Sequence, residues 1–233
     1  MSRPYTATAV QSQNRFLYQM YAWMGVGVLL TAFAAFFTAQ NTVLTNMLFG
    51  GRGFNLGQLV LFGAELALVW YLSSRIMTLS FETGVALFSL YSVLNGVSLS
   101  VIFHIYTDTS IVSTFFTCAA LFFAMSFYGW TTKADLSKWG NILFMALIGV
   151  VIAGLVNFFL HSSVFGFIIS FIGVLVFTGL TAYDTWKFKE AREQLGDDAV
   201  MVRKLGLLGA LSLYLDFINL FLMLLRLLGG RRN

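Results

Sequence analysis

Seven stretches of mostly apolar residues, at about 20–39, 57–74, 84–106, 110–130, 141–160, 164–184 and 206–228, alternate with polar segments along the chain. A helix rises about 1.5 Å per residue and the hydrocarbon core of a bilayer is about 30 Å thick, so roughly 20 apolar residues cross it. The pattern therefore predicts an all-α, polytopic bundle of seven membrane-spanning helices. The single proline is Pro4, so no span is broken by proline, and any kink must arise at Gly or Ser/Thr. Discontinuous helices of the kind that hold substrate in transporters are not signalled. A polar tail, residues 1–19, precedes the bundle of residues 20–228. One internal segment, 185–205, mixes Lys, Arg, Glu and Asp. Residues 1–233 are read as a single integral membrane domain with no appended soluble one.

Composition agrees with this class. Hydrophobic residues make up 58% and charged residues 10% of the chain, with a mean hydropathy of +0.82, against roughly 25% charged in soluble domains. The bilayer is thus the first partner. A net charge of +4 and a pI near 9.3 do not signify nucleic acid, because the basic residues cluster in loops beside spans, where they report topology. With the N-terminus inside, inner loops carry Arg3, Arg15, Arg75, Lys133, Lys138, Lys187, Lys189, Arg192, Arg203 and Lys204, and the outer internal loops carry Arg52. The N-terminus is assigned to the cytoplasm. Arg231 and Arg232 then fall outside; a re-entrant last segment would bring them back, but 206–228 is long enough to cross. Ala32-Phe33-Ala34 resembles a cleavage signal, yet the leader before it is long and the apolar run continues, so the first span is read as uncleaved. Cys118 is alone and forms no intramolecular disulfide. His104 and His161 fall at outer ends of spans without the spacing of a zinc site. No cofactor and no catalytic residue is expected.

The chemistry rests on carboxylates where the chain is otherwise apolar. Residues 140–183 contain no Asp, Glu, Lys or Arg; Asp184 follows at once, and Asp216 is the only charge in 205–225. An ionisable group in a span is costly and marks function. Counting along the helix puts Asp216 roughly 15 Å from the cytoplasmic end and Asp184 near the cytoplasmic surface. Arg75, at the end of the second span, is a counter-ion candidate for Asp184, and Glu65 lies deeper on the same span. Helical spacing sets Tyr91, Asn95 and Ser98 in one polar stripe and Ser212, Asp216 and Asn219 in another; interhelical hydrogen bonding accounts for the first. Asp184 can instead pair locally with Lys187, and Asp216 can be a protonated carboxyl bonded to Ser212 or a neighbouring helix. If the two acids meet, they share a proton over a range of pH and the site responds to acidity. Fully ionised, the pair would attract a hard cation. Two carboxylates are too few for a resident calcium, which takes six to eight oxygens, so such a site suits passage better than storage.

Gly179-Leu180-Thr181-Ala182-Tyr183-Asp184-Thr185 and Leu213-Tyr214-Leu215-Asp216-Phe217-Ile218-Asn219-Leu220-Phe221 closely resemble the signature segments of the Bax inhibitor family, in its bacterial branch. Leu90-Tyr91-Ser92-Val93-Leu94-Asn95-Gly96 and the run from Met125 to Leu136 add support. The resemblance implies seven helices with the last one central, and a pH-sensitive calcium leak of the bacterial inner membrane. It also implies that Asp184 and Asp216 form the acid pair, transiently binding calcium, and that Arg75 is a latch. Trp186 departs from the pattern, which has a polar Gln after Asp-Thr. Paired membrane aspartates also define intramembrane aspartyl proteases, but Asp216 lacks the required Gly-x-Gly before it, and the Pro-Ala-Leu element cannot exist here. The remaining alternative is a membrane interaction protein that modulates a membrane protease or other membrane partner, with the polar tail as its handle.

Overall fold

A computed structural model describes residues 7–49, 56–196 and 198–232; Arg3, Pro4, Arg52 and Asn233 lie outside them. Among the described residues the chain is helical nearly throughout: α1 (Ala7–Gln40), α2 (Thr42–Phe49), α3 (Leu56–Arg75), α4 (Phe81–Leu99), α5 (Ile102–Ile105), α6 (Asp108–Thr131), α7 (Ser137–Leu160), α8 (Ser163–Gln194) and α9 (Ala199–Leu228). Seven segments are long and apolar enough to cross a bilayer, α4 and α5 together forming one of them. The seven expected spans are therefore present.

Short polar residues set the helix starts. The Asn41 carboxamide accepts from the amides of Val43 and Leu44 at the head of α2. The hydroxyls of Ser80, Thr107 and Ser162 accept from Thr83, Ser110 and Phe165 at the heads of α4, α6 and α8. Asp135 and Asp198 do the same for α7 and α9. Such caps satisfy amides that the first turn leaves unpaired. His161, in the left-handed region at φ 50°, closes α7.

The helices overrun the apolar windows. The tail is helical from Ala7, α8 continues to Gln194, and α9 begins at Ala199, so the charged segment 185–205 is mostly helix. Hydropathy marks the thickness of the bilayer, whereas Lys187-Phe188-Lys189-Glu190-Ala191-Arg192-Glu193-Gln194 is built of good helix formers and extends past it. The octapeptide α2 was not foreseen either, being far below spanning length.

The fold comprises two compact units. One takes in Met1–His104 with Phe188–Tyr214, the other Ile105–Lys187 with Leu215–Asn233. In the first, α1 and α4 pack closely, and the first half of α9 joins them: Leu207 lies against Gly84, and Met20 and Phe188 meet at Gly209. The Phe88 and Tyr91 rings stand edge-on to Tyr214 at 5.6 and 5.9 Å. In the second, the last half of α9 packs on α6, with Phe217 edge-on to Phe122 at 5.4 Å and to Phe115 at 5.6 Å, and on α8, where Met223 lies against Gly173. The last helix is thus the core of each unit in turn, and its apolar window is 67% buried, against 6% for α3 and for α7. That is the central place expected of it.

The end of the chain is fastened to the turn before α6. Arg231 pairs with Tyr106 in an antiparallel bridge; the Thr107 amide donates to the Gly230 carbonyl at 3.0 Å and the Arg232 amide to the Ile105 carbonyl at 2.9 Å. The Arg232 guanidinium meets the Asp108 carboxylate at 2.9 Å. Arg231 and Arg232 therefore lie at the same end of their unit as the connection between the third and fourth spans, which is where a helix that crosses completely delivers them.

Candidate functional site

Asp216 sits on the buried face of α9, between Leu213 and Leu220, and is itself 5% exposed. Its Oδ2 is buried with no hydrogen-bond partner among the described residues. A polar oxygen left so in an apolar setting is expensive and calls for a cause. Its flanking residue is firmly held: the Cys118 thiol donates to the Phe217 carbonyl at 3.7 Å, and two phenyl rings bracket the Phe217 side chain.

Asp184 lies on α8, roughly 15 Å before the end of that helix, with its side chain 14% exposed. Asp184 and Asp216 belong to the same unit. Lys187, a turn further along α8, stands 3.9 Å from Asp184 and is half exposed; its ammonium also lies 5.9 Å from the centre of the Tyr183 ring. The local pair of Asp184 with Lys187 is therefore present.

Two glycines let α8 carry Asp184 this close to its neighbours. A side chain at Gly129 of α6 would run into the Ala182 backbone, and one at Gly140 of α7 would run into the Tyr183 ring. Backbone approach of this kind is open to glycine alone. The hydroxyls of Thr181 and Thr185 turn back onto their own helix, bonding the carbonyls of Phe177 and Thr181 at 2.8 and 2.9 Å.

The other expected residues are placed as follows. The Asn219 amide donates to the Leu215 carbonyl at 2.8 Å, back onto α9. In the first unit Glu65 is half buried and accepts a hydrogen bond from Ser98; Asn95 donates to the Tyr91 hydroxyl at 3.3 Å. The stripe on α4 is accordingly hydrogen-bonded polar packing. Arg75 is exposed at the end of α3, where its carbonyl accepts from Thr78 and Leu79. His161 Nδ1 is 3.1 Å from the Phe159 carbonyl oxygen, in an exposed position. Among the described residues no group of three or more His, Cys, Asp or Glu could hold a metal ion.

Sequence reasoning missed a knot at Thr31 and Tyr214. Both are buried; their hydroxyls are 2.6 Å apart, and the Thr31 oxygen also lies 2.9 Å from the carbonyls of Gly27 and Ser92. A Tyr two residues before Asp216 was a visible signal, but its partner on the first span was not.

Residues 13–233 match the family model described as "Inhibitor of apoptosis-promoting Bax1". The chain is similar to the inner membrane protein YbhL of Escherichia coli, with 53% identity over 93% of this chain and 92% of that one. It is also similar to an uncharacterized protein of Borreliella burgdorferi, at 43% over 95% and 94%, and to one of Rickettsia prowazekii, at 43% over 94% and 91%.

Proposed function

This chain belongs to the Bax inhibitor family, a family of membrane proteins and not of enzymes, and we propose that it is a pH-sensitive calcium leak channel whose gate is the pair Asp184 and Asp216. The observation that carries this reading is the buried Asp216, with one oxygen lacking a hydrogen-bond partner among the described residues and with Asp184 in the same unit. Two carboxyls so placed share a proton, and that proton joins α8 to α9. Loss of the proton sets two like charges against each other where solvent screens poorly; the helices part and the freed oxygens attract a cation. Calcium is the cargo and not a resident ion, since two carboxylates leave most of its coordination to water and carbonyls.

In this scheme the membrane is the bacterial inner membrane, the N-terminus is cytoplasmic, Arg75 secures the closed state, and Glu65 and Asn219 are auxiliary polar groups. Flux should rise with pH as the shared proton is lost. Calcium entry into liposomes containing the purified chain, followed against pH, tests the scheme. Asp184→Asn and Asp216→Asn should each abolish the pH-dependent component, and the double variant should lose little more. Additive losses would assign the residues to separate sites, and unchanged flux in folded Asp216→Asn would remove it from the mechanism.

One observation favours a second reading, in which the chain modulates a membrane protein partner. The polar start of α1 is an ordered helix that presents Gln11, Arg15, Tyr18 and Gln19 on its exposed side, while Gln13 donates to Glu193 of α8 at 2.8 Å. Deleting residues 1–12 should leave flux intact and abolish partner binding if this reading holds.

A further inference from the structure

We propose that α2 is an interfacial helix, lying in the boundary between headgroups and acyl chains of the leaflet opposite the N-terminal end of α1. Its pattern is the first ground. At roughly 100° per residue, Val43, Met47, Leu44 and Leu48 occupy one arc of about 140°, and Thr45, Thr42 and Asn46 fall in the opposite one; Phe49, in the polar arc, ends the pattern. Exposure is the second. Val43 is 75% and Met47 72% exposed, Leu44 is exposed as well and Leu48 half-buried, so most of the apolar arc is left uncovered by the described residues.

Position decides what covers that arc. Only Asn41 separates α2 from the end of the first span, and one residue reaches about 3.5 Å. Thr45 further ties α2 to the last turn of α1, its hydroxyl donating to the Thr38 carbonyl at 3.0 Å. The start of the helix is thereby held at the end of the first span. The last turns of α1 are themselves apolar and uncovered, with Phe33 61% and Phe37 66% exposed on a membrane span. Residues 41–49 carry no charge, so the attraction rests on buried apolar area and not on anionic headgroups, which are what basic interfacial helices use. The occupant is therefore lipid of either charge.

The test uses the full chain with Cys118→Ala, reconstituted in vesicles of phosphatidylcholine alone or mixed with phosphatidylglycerol. A polarity-sensitive fluorophore is attached at Met47→Cys or, in separate samples, at Asn46→Cys; Val43→Cys serves if Met47→Cys misfolds. The probe at 47 should emit to the blue of the probe at 46. Shallow spin-labelled lipid should quench it several-fold more than aqueous iodide does, with the order reversed at 46 and both ratios alike in the two vesicle types. Equal iodide quenching at 46 and 47 would overturn the proposal. So would lipid quenching that appears only with phosphatidylglycerol, or shielding of position 47 from both quenchers, which would mean that protein covers the arc.

Discussion

The hydroxyls of Thr31 and Tyr214 make a sharp test of how α9 is held in the first unit. The Thr31 hydroxyl has one proton and lies 2.9 Å from two carbonyl oxygens, each already an acceptor within its own helix. If Thr31 donates to a carbonyl, Tyr214 must donate to Thr31 across their 2.6 Å contact. Tyr214→Phe then removes one hydrogen bond and strands nothing, a loss of about 0.6–1 kcal/mol. Thr31→Val keeps the shape but takes the 2.6 Å partner from a phenol that has no exposure to solvent, a loss of about 2 kcal/mol. Ser92, beside the phenol, is the fallback acceptor, so adding Ser92→Ala to Thr31→Val should deepen the loss to about 3 kcal/mol. The pair is not additive: with Tyr214→Phe already present nothing remains to strand, and Thr31→Val/Tyr214→Phe should be no less stable than Thr31→Val alone. Reversible unfolding of the purified chain in mixed micelles titrated with dodecyl sulfate, followed by tryptophan fluorescence, measures all four variants. A double variant that loses the sum of the singles, or a Tyr214→Phe as damaging as Thr31→Val, would refute the assignment of donor and acceptor.

Arg75→Ala should raise the basal calcium leak of folded protein in liposomes; an unchanged or lower leak would move the latch to Lys187. Cysteines at Ala134 and Ala199 should resist a membrane-impermeant reagent added to intact cells while one at Asn46 reacts, and labelling of either of the first two would reverse the orientation. Asp135 lies outside the spans, and its hydrogen bonds from the Ser137 hydroxyl and amide hold its carboxyl below the ordinary range. A carboxylate depressed in the folded state contributes stability above its unfolded value that is lost as pH falls through the lowered one. Its titration by NMR should therefore have a midpoint below about 3.9, and a midpoint at or above that value would mean that the bonds to Ser137 do not form in the membrane.

The seven spans were legible because the bilayer imposes one length on all of them, and Asp184 and Asp216 because charge stands out in apolar sequence. The helical continuation over 187–194 was not, since hydropathy registers where lipid ends and not where a helix ends. Partners across helices were equally hidden: Ser98 and Glu65 were each visible as polar, but nothing in their spacing told that they meet. The bond between Arg232 and Asp108 joins residues more than a hundred positions apart, and a charge count had assigned Arg232 only a side of the membrane. Lys187 was visible as a local partner of Asp184. The close approach of α8 to α6 and α7 at Gly129 and Gly140 was not, because a glycine in an apolar run does not announce which neighbour it will touch.

Those two glycines also decide which part of the proposed gate would stand still. With main chain against main chain at Gly129 and the Tyr183 ring seated over Gly140, α6 and α7 each lock onto the adjoining stretch of α8 as a stator: sliding would drive the backbone of α6 into that of Ala182, and the Tyr183 ring into α7. Asp184 belongs to that fixed frame. If the acid pair is the gate proposed above, its separation falls to the rotor, α9. A pair of spectroscopic labels on α6 and α8 should keep a constant separation through a pH jump, and only a ruler with one end on α9 would register the opening.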